Sequence, residues 1–316
     1  MKKVIVLLGP TGVGKTSASI LLAQELDTEI ISADSMQIYR GMDIGTAKPT
    51  KKDLAEVRHH MINLIGPAES YSAGQYVGAV TRIIEGLHKK GRIPVVAGGT
   101  GLYIKAMTRG IFGGPPADLR LREELLSMEQ NAPGSLYSYL VSMDDEAAGN
   151  IQKNDMRRIV RALEVCLKSR EKISLLRKKL TSPLPYEFIK IGLTRERKEL
   201  YLMINERVEK MFEAGLLQEA ETLLEKCPDR TAMQAIGYKE LAGYLNKEID
   251  KDETIRLIKR NTRRYAKRQV TWFKKEEDII WIDVTGIFDG REIFHLIKDA
   301  LVQIQPEIFS CNTAGR

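Results

Sequence analysis

Gly9-Pro10-Thr11-Gly12-Val13-Gly14-Lys15-Thr16 follows the apolar run Val4 to Leu8 and opens into Ser17 to Leu26, which has a helical pattern. These eight residues fit G-x-x-x-x-G-K-[ST], a loop that joins a strand to a helix and cradles phosphate. Each residue type has a physical reason. Glycines let the backbone curl until successive N–H groups point at phosphate oxygens, and the following helix adds the positive end of its dipole. Lys15 brings a compact charge to a terminal phosphate, and the Thr16 hydroxyl is placed to ligate Mg²⁺. The run Gly9 to Thr16, with Ser17 beside it, is therefore the expected phosphate site.

Working outward, Glu29 to Ser32 reads as a second strand leading to Asp34, and Ser72 to Lys90 as a helix with Val77, Val80, Ile84 and Leu87 on its apolar face. Ile93 to Ala97 reads as a third strand that stops at Gly98-Gly99. Such alternation predicts an α/β fold, a P-loop-type parallel sheet flanked by helices. After Gly113-Gly114-Pro115-Pro116 the pattern changes, and Leu119 to about Leu180 shows helical periodicity alone. Phe188 to Leu193 and Ile279 to Val284 read as strands that return to the core. The expected organisation is a core over 1–114 and 187–316, interrupted by an all-helical insertion over 115–186.

The end of the third strand separates this chain from ordinary NTP-hydrolysing proteins, which place a Mg²⁺-binding Asp near such a strand. Here the residues are Gly98-Gly99-Thr100-Gly101, which offer close backbone approach and a hydroxyl. The acid lies in Ala33-Asp34-Ser35-Met36-Gln37 instead. A carboxylate at a strand end beside a phosphate loop can take a proton from whatever attacks the phosphorylated substrate. The same residue type also serves as a turn or helix cap.

Composition bounds the rest. With 316 residues, 43% hydrophobic and 29% charged, the chain reads as globular, with no apolar run that would cross a bilayer. Met1-Lys2-Lys3 before Val4 to Leu8 faintly suggests a signal peptide, but the apolar stretch is short and runs straight into Gly9-Pro10, so a buried strand is expected. Cys166, Cys227 and Cys311 show neither metal spacing nor an even count, which suits a reducing cytoplasm. His59 and His60 are neighbours, but no zinc pattern surrounds them. The net charge of +7 is localised. Between Thr254 and Lys275 stand nine Lys or Arg and no acid, leaving 40 basic against 42 acidic residues elsewhere. Arg256, Lys259/Arg260, Arg263/Arg264 and Lys267/Arg268 recur every three to four residues as one helical stripe, the footprint of a protein that meets a polyanion.

Several motifs, in order, resemble the bacterial tRNA dimethylallyltransferase family, the isopentenyl-diphosphate:tRNA transferases. They are 9–16, Asp34-Ser35-Met36-Gln37-Ile38-Tyr39 with Gly41 to Pro49, Val96 to Tyr103, Asn154 to Arg158 with Arg161 to Val165, Ala235 to Glu240, and Lys267 to Phe273. The resemblance covers about Val4 to Val284. It implies dimethylallyl diphosphate as donor and, as acceptor, the N6 amine of the adenosine 3′ of the anticodon in a tRNA anticodon stem-loop. Asp34 then matches the general base, Thr100 a residue near that amine, and Arg207 an arginine on the diphosphate. The RNA contacts map onto Asp34, Ser35, Met36 and Gln37; onto Arg157, Arg158, Ile159, Val160 and Arg161; and onto Gln234, Ala235, Ile236, Gly237, Tyr238 and Lys239. A last group comprises Lys267, Arg268, Gln269, Val270, Thr271, Trp272, Phe273 and Lys274. The linker after Pro115 is about two residues shorter than the family pattern, so the RNA-contacting arginine there is Arg120 or Arg122, with Arg120 preferred. Tyr39, Met36 and Tyr103 are either pocket walls or core. The chain is expected to be a monomer with Mg²⁺ as cofactor. A prenyltransferase for free adenine nucleotides, a small-molecule kinase and a non-catalytic RNA-binding protein remain as alternatives.

Overall fold

The computed structural model describes residues 1–225 and 230–310. Cys227, Cys311 and the terminal residues 311–316 lie outside the described residues. Among the described residues no helix is long and apolar enough to cross a membrane.

Six parallel strands, β1 (Lys3–Leu8), β2 (Ile30–Ala33), β3 (His59–His60), β4 (Val95–Gly98), β5 (Glu187–Thr194) and β6 (Ile279–Asp283), form one sheet in the order β3-β2-β4-β1-β5-β6. Val4 to Leu8 are wholly buried, as an unbroken apolar run in a parallel sheet covered on both faces requires. Ile5 and Leu7 pack with Ile191 and Leu193 of β5, with Leu22 of the helix Lys15–Glu25 and with Ile297 of the helix Gly290–Ile304. The two-residue β3 had no signature in the sequence, because alternation needs a longer run to show. His59 and His60 pair with Ile30 and Ile31 of β2, and His60 Nε2 lies 2.6 Å from Glu29 Oε2.

Because all strands run the same way, their C-terminal ends share one edge. That edge collects the phosphate loop after β1, Asp34 after β2 and Gly98-Gly99-Thr100 at the end of β4. The packing there is close: a Cβ on Gly98 would fall 2.3 Å from the Ala33 carbonyl oxygen. A side chain at 98 would push β4 away from β2 and move Asp34 with it.

The chain divides into two compact units, Met1–Ile104 with Pro185–Arg316, and Lys105–Leu184. The second begins ten residues before the boundary expected at Pro115. The reason is local: the Leu184 N–H donates to the Met107 carbonyl at 3.0 Å, and Gly110 lies against the backbone of Ser182. The segment 105–114 thus pairs with the end of its own helical unit. That unit contains the helices Leu119–Asn131, Ser135–Met143, Asp145–Gly149, Met156–Ser169 and Ile173–Leu180 around Leu125, Leu140, Ile159 and Leu163.

Glu164, fully buried in this unit, accepts hydrogen bonds from the Asp118 amide at 2.7 Å, from Arg122 at 2.8 and 2.9 Å, and from Arg161. Burial pushes its carboxyl pKa up, but the bonds from Arg122, Asp118 and Arg161 outweigh this and hold it at about 2. A carboxyl pKa lowered on folding stabilises the fold above about 4.5, and the contribution is lost as pH falls toward about 2. Glu164→Gln is expected to destabilise the protein at pH 7 by about 2 kcal/mol, since both arginines are half-exposed and partly hydrated. Denaturant melts at pH 7 and pH 3 should show the wild-type advantage shrinking at the lower pH.

Candidate active site

Three glycines allow the phosphate loop to turn: Gly9, Gly12 and Gly14 have φ of 151°, 83° and 107°. Gly9 also meets a steric limit, because a Cβ there would sit 2.7 Å from the Leu193 carbonyl oxygen of β5. Lys15 begins the next helix and folds its Nζ back to donate to the carbonyls of Gly9 at 2.8 Å and Pro10 at 2.7 Å. Thr16 and Ser17, on the first turn, line the same cleft of about 570 Å³.

Asp34 lines it too, from the end of β2. Its Oδ1 accepts from the amides of Met36 at 2.9 Å and Gln37 at 3.4 Å, a turn-capping geometry. Capping uses that one oxygen, and the second carboxylate oxygen carries no hydrogen bond from the described residues. Thr100 Oγ1 accepts from the Ser35 amide at 3.0 Å, fixing the hydroxyl beside the Asp34 turn. Arg207 comes from the distant helix Arg197–Glu213 and points Nη1 at Thr11 Oγ1, 3.4 Å away.

The electrostatics of the three groups are linked. Burial lowers the Lys15 pKa, Arg207 lowers it further by repulsion, and the attraction of Asp34 recovers only part, leaving it at about 7. Burial also lowers that of Arg207, against the pull of Asp34. Burial raises that of Asp34, opposed by the Met36 and Gln37 amides and by Lys15 and Arg207. Two cations made costly by burial line one cleft beside the phosphate loop, and a compact polyanion such as a diphosphate relieves that cost.

The family model for IPP transferase matches residues 37–276. A tRNA dimethylallyltransferase of Thermodesulfovibrio yellowstonii is 52% identical over 310 residues, covering 96% of this chain and 98% of that one. The chain belongs to the IPP transferase family of enzymes. Among solved structures, a tRNA isopentenylpyrophosphate transferase from Bacillus halodurans is 40% identical with a TM-score of 0.70, covering 96% of this chain and 98% of that one. A eukaryotic dimethylallyltransferase acting on tRNA is 31% identical with a TM-score of 0.79, over 96% and 78%.

The positions that family resemblance assigns to RNA separate by burial in this IPP transferase. Arg120, Arg157, Arg158, Gln234, Lys239, Lys267, Arg268, Thr271 and Lys274 are exposed. By contrast, the side chains of Ile159, Val160, Ala235, Tyr238, Gln269 and Phe273 are no more than 6% exposed and serve packing or internal hydrogen bonds. Ile236, Val270 and Trp272 are half-buried, and Gly237 is buried. Arg122 and Arg161 are held by Glu164, which leaves Arg120 as the outward-facing arginine of its pair. Around Asp34, Gln37 faces the cleft, and Ser35 and Met36 are half-buried. Tyr39 and Tyr103 belong to the core; the ring of Tyr103 stacks on Tyr76 with centroids 3.8 Å apart.

The basic helix Lys251–Phe273 is less uniformly charged than its sequence reads. Arg256 pairs with Glu253 at 2.5 Å, Lys259 pairs with Glu209, and Arg263 donates to Asn205 at 2.6 Å. In the C-terminal half, the exposed cations Arg264, Lys267 and Lys274 make no ion pair among the described residues. Sequence reasoning missed Tyr265, whose hydroxyl meets the side chains of Thr100 and Gln269. A tyrosine within a basic run carried no signal of that contact.

Lys15→Met keeps the length of the side chain and removes its charge. Affinity for inorganic diphosphate, measured by calorimetry, is expected to fall about 10- to 100-fold, the worth of a charged hydrogen bond. An unchanged affinity would place the anion elsewhere.

Proposed function

We propose that this enzyme transfers the dimethylallyl group of dimethylallyl diphosphate to the N6 amine of the adenosine 3′ of the anticodon in tRNA, releasing diphosphate. The observation that carries this reading is that Asp34 shares one cleft with Lys15, Arg207 and the phosphate loop. The dimethylallyltransferase and isopentenyltransferase relatives, similar over nearly the whole chain, support it.

The chemistry follows from the residues. The bond between the allylic carbon and the diphosphate oxygen breaks as the N6–carbon bond forms. Negative charge collects on the leaving diphosphate, where Lys15, Arg207 and the loop amides stabilise it. The adenine amine is a weak nucleophile because its lone pair is delocalised into the ring, so it needs alignment and a proton acceptor. The uncommitted oxygen of Asp34 is the acceptor, and Thr100 aligns the amine. Asp34's pKa, raised by burial, makes it a better base than an ordinary carboxylate. The adenine must leave its stack to reach the cleft.

Thr16 offers a hydroxyl in the cleft, and among the described residues no cluster of three His, Cys, Asp or Glu could hold a metal. This donor set fits a Mg²⁺ carried on phosphate oxygens and touched by Thr16. When bound, the ion would neutralise charge on the leaving group.

A kinase or a free-nucleotide prenyltransferase would leave the exposed cations at the end of the helix Lys251–Phe273 without a role. Labelled dimethylallyl diphosphate offered with tRNA, with AMP, or with ATP and alcohols in parallel separates the three; label is expected in tRNA alone. Asp34→Asn preserves size and hydrogen bonding but cannot take the proton. Single-turnover rates at saturating donor and tRNA are expected to fall by about 10²- to 10⁴-fold with tRNA affinity little changed. A rate within a few-fold of wild type would assign the proton to water or to the departing diphosphate.

Salt dependence tests the helix. Removing Arg264, Lys267 and Lys274 together should reduce the log–log salt slope of tRNA binding by about 3, one unit for each lost phosphate contact. Removing Arg256, Lys259 and Arg263, which are internally paired, should change it less. Equal slopes in the first variant and the wild type would take this segment out of the interface.

A further inference from the structure

Gln269 lies on the basic helix Lys251–Phe273 yet is only 6% exposed. Its Oε1 accepts the Thr11 amide of the phosphate loop at 2.9 Å, and its Nε2 donates to the Gly99 carbonyl at 2.8 Å. One side-chain amide thus bridges the donor loop and the turn that ends β4. The contact depends on Gly99, where a Cβ would stand 2.2 Å from Gln269 Nε2. Tyr265, one turn earlier, meets Thr100, and Trp272, one turn later, covers Gly101 so closely that a Cβ there would be 2.5 Å from its ring. Residues 265, 269 and 272 follow the spacing of a single helix face. Arg264, Lys267 and Lys274 are exposed to solvent. One helix therefore touches the donor loop and the acceptor turn on its inner face and offers cations on its outer face.

We infer that Gln269 is a positioning residue that couples tRNA binding to the geometry of the phosphate loop. The inference rests on the proposed function. Gln269 touches neither the reacting carbon nor the amine; it acts through Thr11, whose amide it holds and whose hydroxyl meets Arg207. Any shift of the helix on binding RNA moves Thr11, and with it the loop backbone and the hydroxyl that meets Arg207. By linkage, diphosphate then alters tRNA affinity by the same factor.

The test uses the full chain with tRNA and inorganic diphosphate in Mg²⁺ buffer. In the wild type, saturating tRNA is expected to change diphosphate affinity at least threefold. In Gln269→Met, which matches the length but lacks both hydrogen-bonding atoms, that factor should collapse toward one. Its donor KM should rise about tenfold, the scale of losing buried hydrogen bonds, and tRNA affinity without donor should stay within twofold. A purely structural role would instead lower the melting temperature and weaken both ligands alike, which overturns the proposal. So does a Gln269→Met variant that keeps the wild-type coupling. A second measurement needs no variant: hydrogen exchange in the peptide spanning 9–16 should change when tRNA is added without donor. Unchanged exchange with tRNA bound also overturns it. The functional reading fails separately, through a wild type that binds both ligands with coupling but transfers no prenyl group.

Discussion

Lys15 and Arg207 are like charges buried in one cleft, and the cost of burying them is the constraint on which the rest of the site depends. Such a pair is tolerable only where the backbone supplies compensating dipoles. Lys15 finds them in the Gly9 and Pro10 carbonyls. Those carbonyls face it because the loop turns through positive φ at Gly9, Gly12 and Gly14. Asp34 is the third charge in the balance, and it draws Lys15 and Arg207 toward their protonated forms. A leaving diphosphate asks for both cations, and an attacking amine asks for the anion. The electrostatic strain of the free site and the charge separation of the reaction have the same shape.

Holding Asp34 in place falls to the segment that follows it. Glu219, from the helix Leu216–Glu225, accepts the amides of Asp43, Ile44 and Gly45 at 2.8 to 2.9 Å and the Tyr238 hydroxyl at 2.5 Å. Lys48 closes the same segment by donating to the Tyr39 carbonyl at 2.5 Å and to Asp43 at 2.7 Å. Tyr238, a position that family resemblance links to RNA, therefore works from the inside: through Glu219 it braces the segment that follows Asp34. A buried side chain can matter to an RNA enzyme without meeting RNA.

The phosphate loop, five of the six strands and the helical character of 119–180 were legible in the sequence, because each rests on local periodicity or on a motif with fixed spacing. The geometry behind the role proposed for Asp34 was only half legible. Its place at a strand end could be read, but not that one oxygen caps the Met36 turn while the other is left unbonded. Contacts between distant residues left no pattern. Gln269 meets Thr11 across 258 positions, and Arg207 meets the same residue across 196. The basic stripe misled in a specific way. Its acid-free window begins at Thr254, one residue after the Glu253 that pairs with Arg256, and the Glu209 that neutralises Lys259 arrives from another helix.

Sorting the arginines by their partners gives a physical account of which can serve RNA. Arg122 and Arg161 converge on a fully buried carboxylate, and pulling either away would leave Glu164 short of the bonds that keep it ionised. Their positions are therefore fixed by the fold, and a phosphate would have to come to them. The exposed pair of Arg256 with Glu253 is different, because solvated ion pairs open at little cost and a stronger anion can displace the carboxylate. Arg264, Lys267 and Lys274 need no displacement at all. The helix Lys251–Phe273 therefore grades from exchangeable to uncommitted cations toward its C-terminal end. That end is where its inner face carries Tyr265, Gln269 and Trp272. Charge is left unpaired on the stretch of helix that also touches the donor loop, so the strongest pull of a polyanion falls where it can act on the chemistry.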